Sequence, residues 1–229
     1  MMNLSVFTQN FWYCMVGQWP DGDLGGVALT IILSVLAGLL SAAVGLLLGL
    51  VLACSPRWVR GILIPILGFF RAVPIVMLIF CIYYVTPIVL GWSVPQRSTV
   101  VISLGCVGGA YLAYSVAAGI NSVPRGQWRA GKALGLSWLQ VMLHIILPQA
   151  LPRMLPSFVN QWVSLIKDTS LGFIISTADL TFIGRQLSSS GVASPAAIYL
   201  FVALLYFIGC TMLDVAATIL RKKLSGKTV

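Results

Sequence analysis

Long apolar runs separated by short polar stretches dominate the chain. Five can be drawn, from Leu24 to Cys54, Gly61 to Leu90, Thr99 to Ile120, Leu155 to Ala178 and Ala196 to Leu220. One crossing of a bilayer core needs about 20 residues at 1.5 Å of rise each, so every run is long enough to span. The pattern predicts an all-α integral membrane protein with five transmembrane helices. Ahead of the first run, "MMNLSVFTQNFWYCMVGQWPDGD" is aromatic and mixed, with Phe7, Phe11, Trp12, Tyr13 and Trp19. Such a segment suits the headgroup level of a membrane; simple disorder is the alternative. It lacks a cationic start and an apolar core followed by a cleavage site, so no secretory signal peptide is expected.

Charge sets the direction of the spans. Only 8% of the 229 residues are charged, far from the usual quarter of a soluble domain. Of the fourteen Lys and Arg, two lie between Ser55 and Arg60, four between Arg125 and Arg153, and four in the tail "RKKLSGKTV". The alternate loops hold Arg97 and Arg185 together with Asp21, Asp23 and Asp179. By the positive-inside rule the N-terminus is outside and the tail cytoplasmic. The net charge of +9 therefore reads as loop anchors for anionic lipid and cytoplasm, not as a nucleic-acid surface. The five cysteines, Cys14, Cys54, Cys81, Cys106 and Cys210, show no CxxC spacing and read as small packing residues. One histidine, His144, and no glutamate make a metal site improbable on composition.

Several polar groups interrupt the apolar runs, and in lipid each needs a partner or a cavity. Arg71 in "GFFRAVPIVM" lies eleven residues beyond Arg60, about 16 Å along a helix. Pro74 would free the carbonyl of Phe70 beside it and kink the span. Arg71 reads equally as a stabilising partner inside a bundle or as a pathway residue. The fourth run, "LPSFVNQWVSLIKDTSLGFIIS", carries Asn160, Ser164 and Lys167 at helical offsets, with Gln161 and Asp168 one step round. Such a stripe must face protein or water. Asp214, near Arg221 and Lys222, reads as a helix-end ion pair. Gly45 with Gly49, and Gly105 with Gly109, allow close helix packing.

The stretch between the third and fourth runs is too long for a connection. Pro124 suits a helix start and Gly135 a helix end, and Ser137 with Gln140 forms a capping-box pattern that opens a second helix. Pro148 and Pro152 are expected to restrict the exit towards the membrane. Two short helices joined by a glycine elbow follow.

Here a resemblance enters. The pattern Glu-Ala-Ala, three residues, Gly, nine residues, Ile, any residue, Leu-Pro is the coupling motif of permease subunits of bacterial ABC importers. This chain has Arg129-Ala130-Gly131, then Gly135, Ile145, Leu147 and Pro148, so the spacing fits while the glutamate and second alanine differ. The phrases "SVPRGQWRAGKALGLS", "IILPQALPRMLPSFVNQW", "SLIKDTSLGFIIS" and "FFRAVP" resemble the polar amino-acid permeases of that group.

The aromatic opening is read as a periplasmic interfacial segment over residues 1–23, and the resemblance, which runs from Leu24 to Lys223, implies a transmembrane domain over 24–223 with a cytoplasmic coupling loop at about 121–153, which leaves a cytoplasmic tail over 224–229. It implies a multi-pass subunit of the bacterial inner membrane, without enzymatic activity or a cofactor of its own; ATP and Mg belong to the partner ATPase. Implied partners are a second, homologous permease, two ATPase subunits, a periplasmic amino-acid-binding protein, membrane lipid and an amino-acid substrate. The coupling helix would comprise Trp128, Arg129, Ala130, Gly131, Lys132, Ala133, Leu134, Gly135, Leu136 and Ser137. Arg71, Tyr111, Tyr114, Asn160, Ser164, Lys167, Asp168, Thr169 and Ser170 are expected to line the pathway. Arg71 and Lys167 would suit carboxylates, acidic amino acids most of all. Where relatives carry Tyr, an acid three residues on and an Arg three further, this chain has Tyr111, Tyr114 and Ala117, which suggests a specialised half of a heterodimer. An ion-coupled secondary transporter and a scaffold that only holds the ATPase are the alternatives; the first would want more intramembrane carboxylates than Asp168.

Overall fold

The computed structural model describes residues 10–191 and 194–225, with side chains up to residue 219. Phe7 therefore lies outside the described residues, as does the expected pairing of Asp214 with Arg221 and Lys222. The elements, in order, are α1 (Phe11–Val16), α2 (Gly26–Cys54), α3 (Arg57–Ala72), α4 (Ile75–Phe80), a π-helical turn (Cys81–Val85), α5 (Thr86–Leu90), α6 (Gln96–Asn121), α7 (Arg125–Ala133), α8 (Trp138–Val141), a second π-helical turn (Met142–Ile146), α9 (Leu147–Asp168), a 3₁₀ turn (Thr169–Ile175), α10 (Leu180–Ser189) and α11 (Pro195–Ser225). Pairing of extended backbone is limited, among the described residues, to two isolated bridges, Gly17 with Leu24 and Gly26 with Asp179.

Among the described residues three helices are long and apolar enough to cross a membrane unaided: Gly26–Cys54, Gln96–Asn121 and Pro195–Ile219. The second apolar run is broken where Val73 leaves the helical region ahead of Pro74, and the pair Arg57–Ala72 and Ile75–Leu90 is bent by 99°. The kink expected from Pro74 is thus a full helix end, since the residue before proline is driven out of the α region. The polar fourth run falls short of the apolarity of the other three; its helix starts at Leu147 and gives way to 3₁₀ turns after Asp168.

The chain divides into two compact units. One comprises Met1–Leu39, Pro74–Gly105 and Trp162–Leu213, the other Leu40–Val73, Cys106–Gln161 and Asp214–Val229. In the first, Leu29, Leu33, Ile79, Val100, Leu104, Leu165 and Ile175 form one buried cluster, and Cys14, Leu180, Ile183 and Val202 a second. In the other, Leu67, Val116, Ile120, Val141, Met142, Ile146 and Met154 share a core. Close packing there rests on glycine: a Cβ on Gly49 would stand 2.5 Å from Val116 Cβ, and one on Gly109 would stand 2.6 Å from Val44 Cγ1. Backbones approach at these points because no side chain separates them, the packing role expected of the small-residue spacing. The cysteines are mixed rather than uniformly packed away: Cys14 and Cys210 are buried, Cys54 and Cys81 exposed.

Candidate functional site

The loop after α6 is built from local signals. Pro124 precedes the first turn of α7, where a missing N–H costs nothing. At the other end Gly135 adopts φ 76°, Leu136 N donates to Gly131 O at 3.2 Å, and Gly135 N donates to Lys132 O at 3.0 Å. These two bonds complete a Schellman ending, which a left-handed glycine makes accessible. Ser137 then opens α8 with both halves of a capping box: Gln140 N donates to Ser137 Oγ at 3.4 Å, and Ser137 N to Gln140 Oε1 at 2.8 Å. Gly131, in place of the second alanine of the coupling motif, touches the following helix; a Cβ there would lie 2.7 Å from Val141 Cγ2. The glycine elbow is as the sequence indicates.

The exit differs from expectation. Pro148, Pro152 and Pro156 do not halt the chain, because the second helix runs on through the π-helical turn into α9. Leu147 N reaches back five residues to Met142 O, which shifts the hydrogen-bond register just ahead of Pro148. Arg153 fixes the geometry of this exit: its Nη1 donates to Ser122 O at 2.7 Å and to Ser122 Oγ at 2.9 Å, a cation at the end of α6 where carbonyls are left over.

A cavity of about 490 Å³ lies under the loop, bounded by Ala53 and Cys54 at the end of α2, Ile120 and Asn121 at the end of α6, and Arg125, Trp128, Arg129, Lys132 and Trp138. Trp128 and Trp138 stack, with ring centroids 6.3 Å apart and planes 28° from parallel. Arg60 Nη2 donates to Ala53 O at 2.8 Å, and its buried Nε has no partner.

Of the expected pathway residues, three converge. Arg71 is exposed, and its guanidinium carbon lies 5.0 Å from the Tyr111 ring centre and 4.6 Å from that of Tyr114. Tyr111 OH donates to Arg71 O at 3.5 Å. The cation therefore faces aromatic rings, not the Phe70 carbonyl that the sequence suggested. Asn160, in the same unit, is exposed. In the other unit Ser164 and Lys167 are exposed, and Asp168 and Ser170 are half-buried. Thr169 is fully buried and its hydroxyl donates to Ile166 O at 2.7 Å, so it belongs to the packing of the 3₁₀ turn.

Two features escaped the sequence reading. A second cavity, of about 650 Å³, gathers Asp23, Pro87, Ser93 to Arg97 and Ser176 to Ala178, with Arg97 Nη2 3.5 Å from Asp23 Oδ1. The other is Asp179, which composition assigned to a loop yet is fully buried. It caps α10 by accepting from Phe182 N at 2.9 Å, and Tyr206 OH donates to its Oδ2 at 3.2 Å. Thr30 Oγ1 accepts from Leu180 N alongside, at 3.1 Å. Burial pushes the Asp179 carboxyl up to about 6 against these hydrogen bonds, which favour its charged form. Among the described residues no group of three or more His, Cys, Asp and Glu could hold a metal.

Residues 45–226 match the family described as "Binding-protein-dependent transport system inner membrane component". The chain belongs to this family. The permease is 32% identical over 193 residues to the glutamine transport system permease protein GlnP of Escherichia coli (strain K12), covering 83% of this chain and 88% of that one. It is 29% identical over 206 residues to the L-cystine transport system permease protein TcyB of Bacillus subtilis (strain 168), covering 90% and 87%. The fold is similar to a crystal structure of an amino acid ABC transporter with histidines, at a TM-score of 0.76, 24% identity and coverage of 85% and 90%. It is also similar to the inward-facing MetNI methionine ABC transporter, at 0.75 and 20%, with coverage of 86% and 94%. The permease is thus a membrane-spanning transport subunit of the inner membrane; in ABC importers ATP hydrolysis belongs to separate subunits.

Proposed function

We propose that the permease belongs to an importer of amino acids, in which it forms the pathway with a second permease, and that α7 with its Schellman end carries ATPase closure to the spans. The observation that carries this reading is the loop: a rigid short helix, stopped by Gly135 and locked by the Ser137–Gln140 box, on a chain whose relatives are named as amino-acid permeases. Mechanical coupling asks for shape and stiffness, not for a reactive group. ATP and Mg act in the two partner ATPase subunits, and a periplasmic amino-acid-binding protein delivers the substrate.

The balance of Lys and Arg between alternate loops supports the five-span, N-outside arrangement.

Two polar surfaces are assigned to the pathway, each on its own merits. Arg71 over Tyr111 and Tyr114, with Asn160, is one; Ser164, Lys167, Asp168 and Ser170 form the other, with Thr169 packed behind. Exposed cations at Arg71 and Lys167 suit the carboxylate of an amino acid, acidic ones in particular. If Arg71→Ala and Lys167→Ala leave ATP-driven uptake and its substrate preference intact in proteoliposomes, the assignment falls. Tyr114, Ala117 and Arg129, which depart from the pattern of the family it resembles, support a role for this permease as one half of a heterodimer. Purification of the transporter with a single type of permease would contradict that.

A further inference from the structure

The cavity under the loop has a chemistry that coupling does not use. Arg125, Arg129 and Lys132 lie along one face of α7 at offsets of four and three, and all three line the cavity without a single carboxylate among them. Like-charge neighbours at these offsets on a helix repel, so an anion in the cavity would relieve what the fold itself leaves uncompensated.

The wall says where the anion comes from. Ala53 and Cys54 end one membrane-crossing helix, and Ile120 and Asn121 end another, so the cavity opens at the depth where lipid headgroups lie. Trp128 and Trp138 flank it, the side chain type enriched at that depth. A protein partner has a different surface on offer: the exposed Leu134 and Leu139 at the tip of the loop, neither of which lines the cavity. We propose that the cavity holds the phosphate headgroup of an anionic phospholipid, which fastens the coupling loop to the membrane; basic pockets between helix ends take such headgroups. The inference is independent of the substrate carried.

The test uses the complete transporter in phosphatidylcholine nanodiscs containing phosphatidylglycerol, with bromine on the acyl chains of one lipid or the other. Fluorescence of Trp128 and Trp138 is obtained as the difference from the Trp128→Phe/Trp138→Phe variant. Quenching should be stronger with brominated phosphatidylglycerol, and Arg129→Gln and Lys132→Gln should each cut the preference roughly fivefold, the Boltzmann factor of ~1 kcal/mol per cation near an anionic surface. Arg129→Lys should keep it, which separates loss of charge from loss of folding. Equal quenching by the two lipids overturns the proposal, as does a preference that survives both glutamine variants. Abolition by millimolar inorganic phosphate would show a soluble-anion site instead. A preference present in the permease alone but absent in the complete transporter would show that an acidic rim of the ATPase takes the cations.

Discussion

Arg71 holds its guanidinium carbon 4.6 Å above the centre of the Tyr114 ring. A cation over an aromatic face is worth about 0.5–2 kcal/mol, more as water is excluded. Tyr114→Ala should therefore lower ATP-driven uptake roughly fivefold, if Arg71 is held for substrate by that ring. Tyr111→Phe should stay close to wild type, since the ring remains and only a long 3.5 Å hydroxyl contact is lost. Initial rates of labelled amino-acid uptake check both, and a larger loss for Tyr111→Phe would shift the role from the ring face to the hydroxyl.

Gly49 is a packing requirement. Substitution by leucine drives a side chain into Val116, and overpacking of this kind costs about 1–3 kcal/mol. Thermal unfolding of purified Gly49→Leu should shift downward, whereas Gly61→Leu, at a glycine where an added Cβ would meet no atom within 4 Å, should not.

The stiffness of the coupling loop is testable at Gly135. Nothing lies near it, so Gly135→Ala costs only the left-handed backbone, about 1–2 kcal/mol. The transporter should still assemble but hydrolyse more ATP per amino acid imported. Arg129→Glu should also assemble, because the Schellman ending and capping box do not involve that side chain. Loss of the ATPase during affinity purification of Arg129→Glu would show that the reversed charge selects the partner.

Asp179 gives a pH dependence of defined sign. Its carboxyl, near 3.8 when unfolded and about 6 when folded, holds a proton in the fold that the unfolded chain has released. The resulting stability is full below the unfolded value, falls as pH rises from about 4 to about 6, and is absent above, a change of up to about 3 kcal/mol. Asp179→Asn keeps a capping side chain without the ionisation. The difference in melting temperature between wild type and variant should therefore shift in the variant's favour across that range; a difference independent of pH would refute the account.

How far this was legible in the sequence varies with the range of the forces. The fold of the loop after α6 was readable because Pro124, Gly135, Ser137 and Gln140 act on neighbours within a few residues. Pro74 marked a bend, and the break it makes is complete because Val73 ahead of it leaves the helical region. Pro148 and Pro152 suggested a constrained exit, yet the helix runs on through both, with a register shift at Leu147 just ahead of the first. Asp179 was out of reach: its partner Tyr206 lies 27 positions away, and the Thr30 hydroxyl beside it bonds a residue 150 positions distant. The partner of Arg71 was equally hidden, since Tyr111 stands 40 positions on.

The central claim is that this chain is the transmembrane half of an ATP-driven amino-acid importer. Proteoliposomes holding the permease with its cognate partner permease, ATPase and binding protein should accumulate a labelled amino acid only with ATP inside, undiminished by ionophores that collapse proton and sodium gradients. Accumulation that follows those gradients and ignores ATP would contradict it.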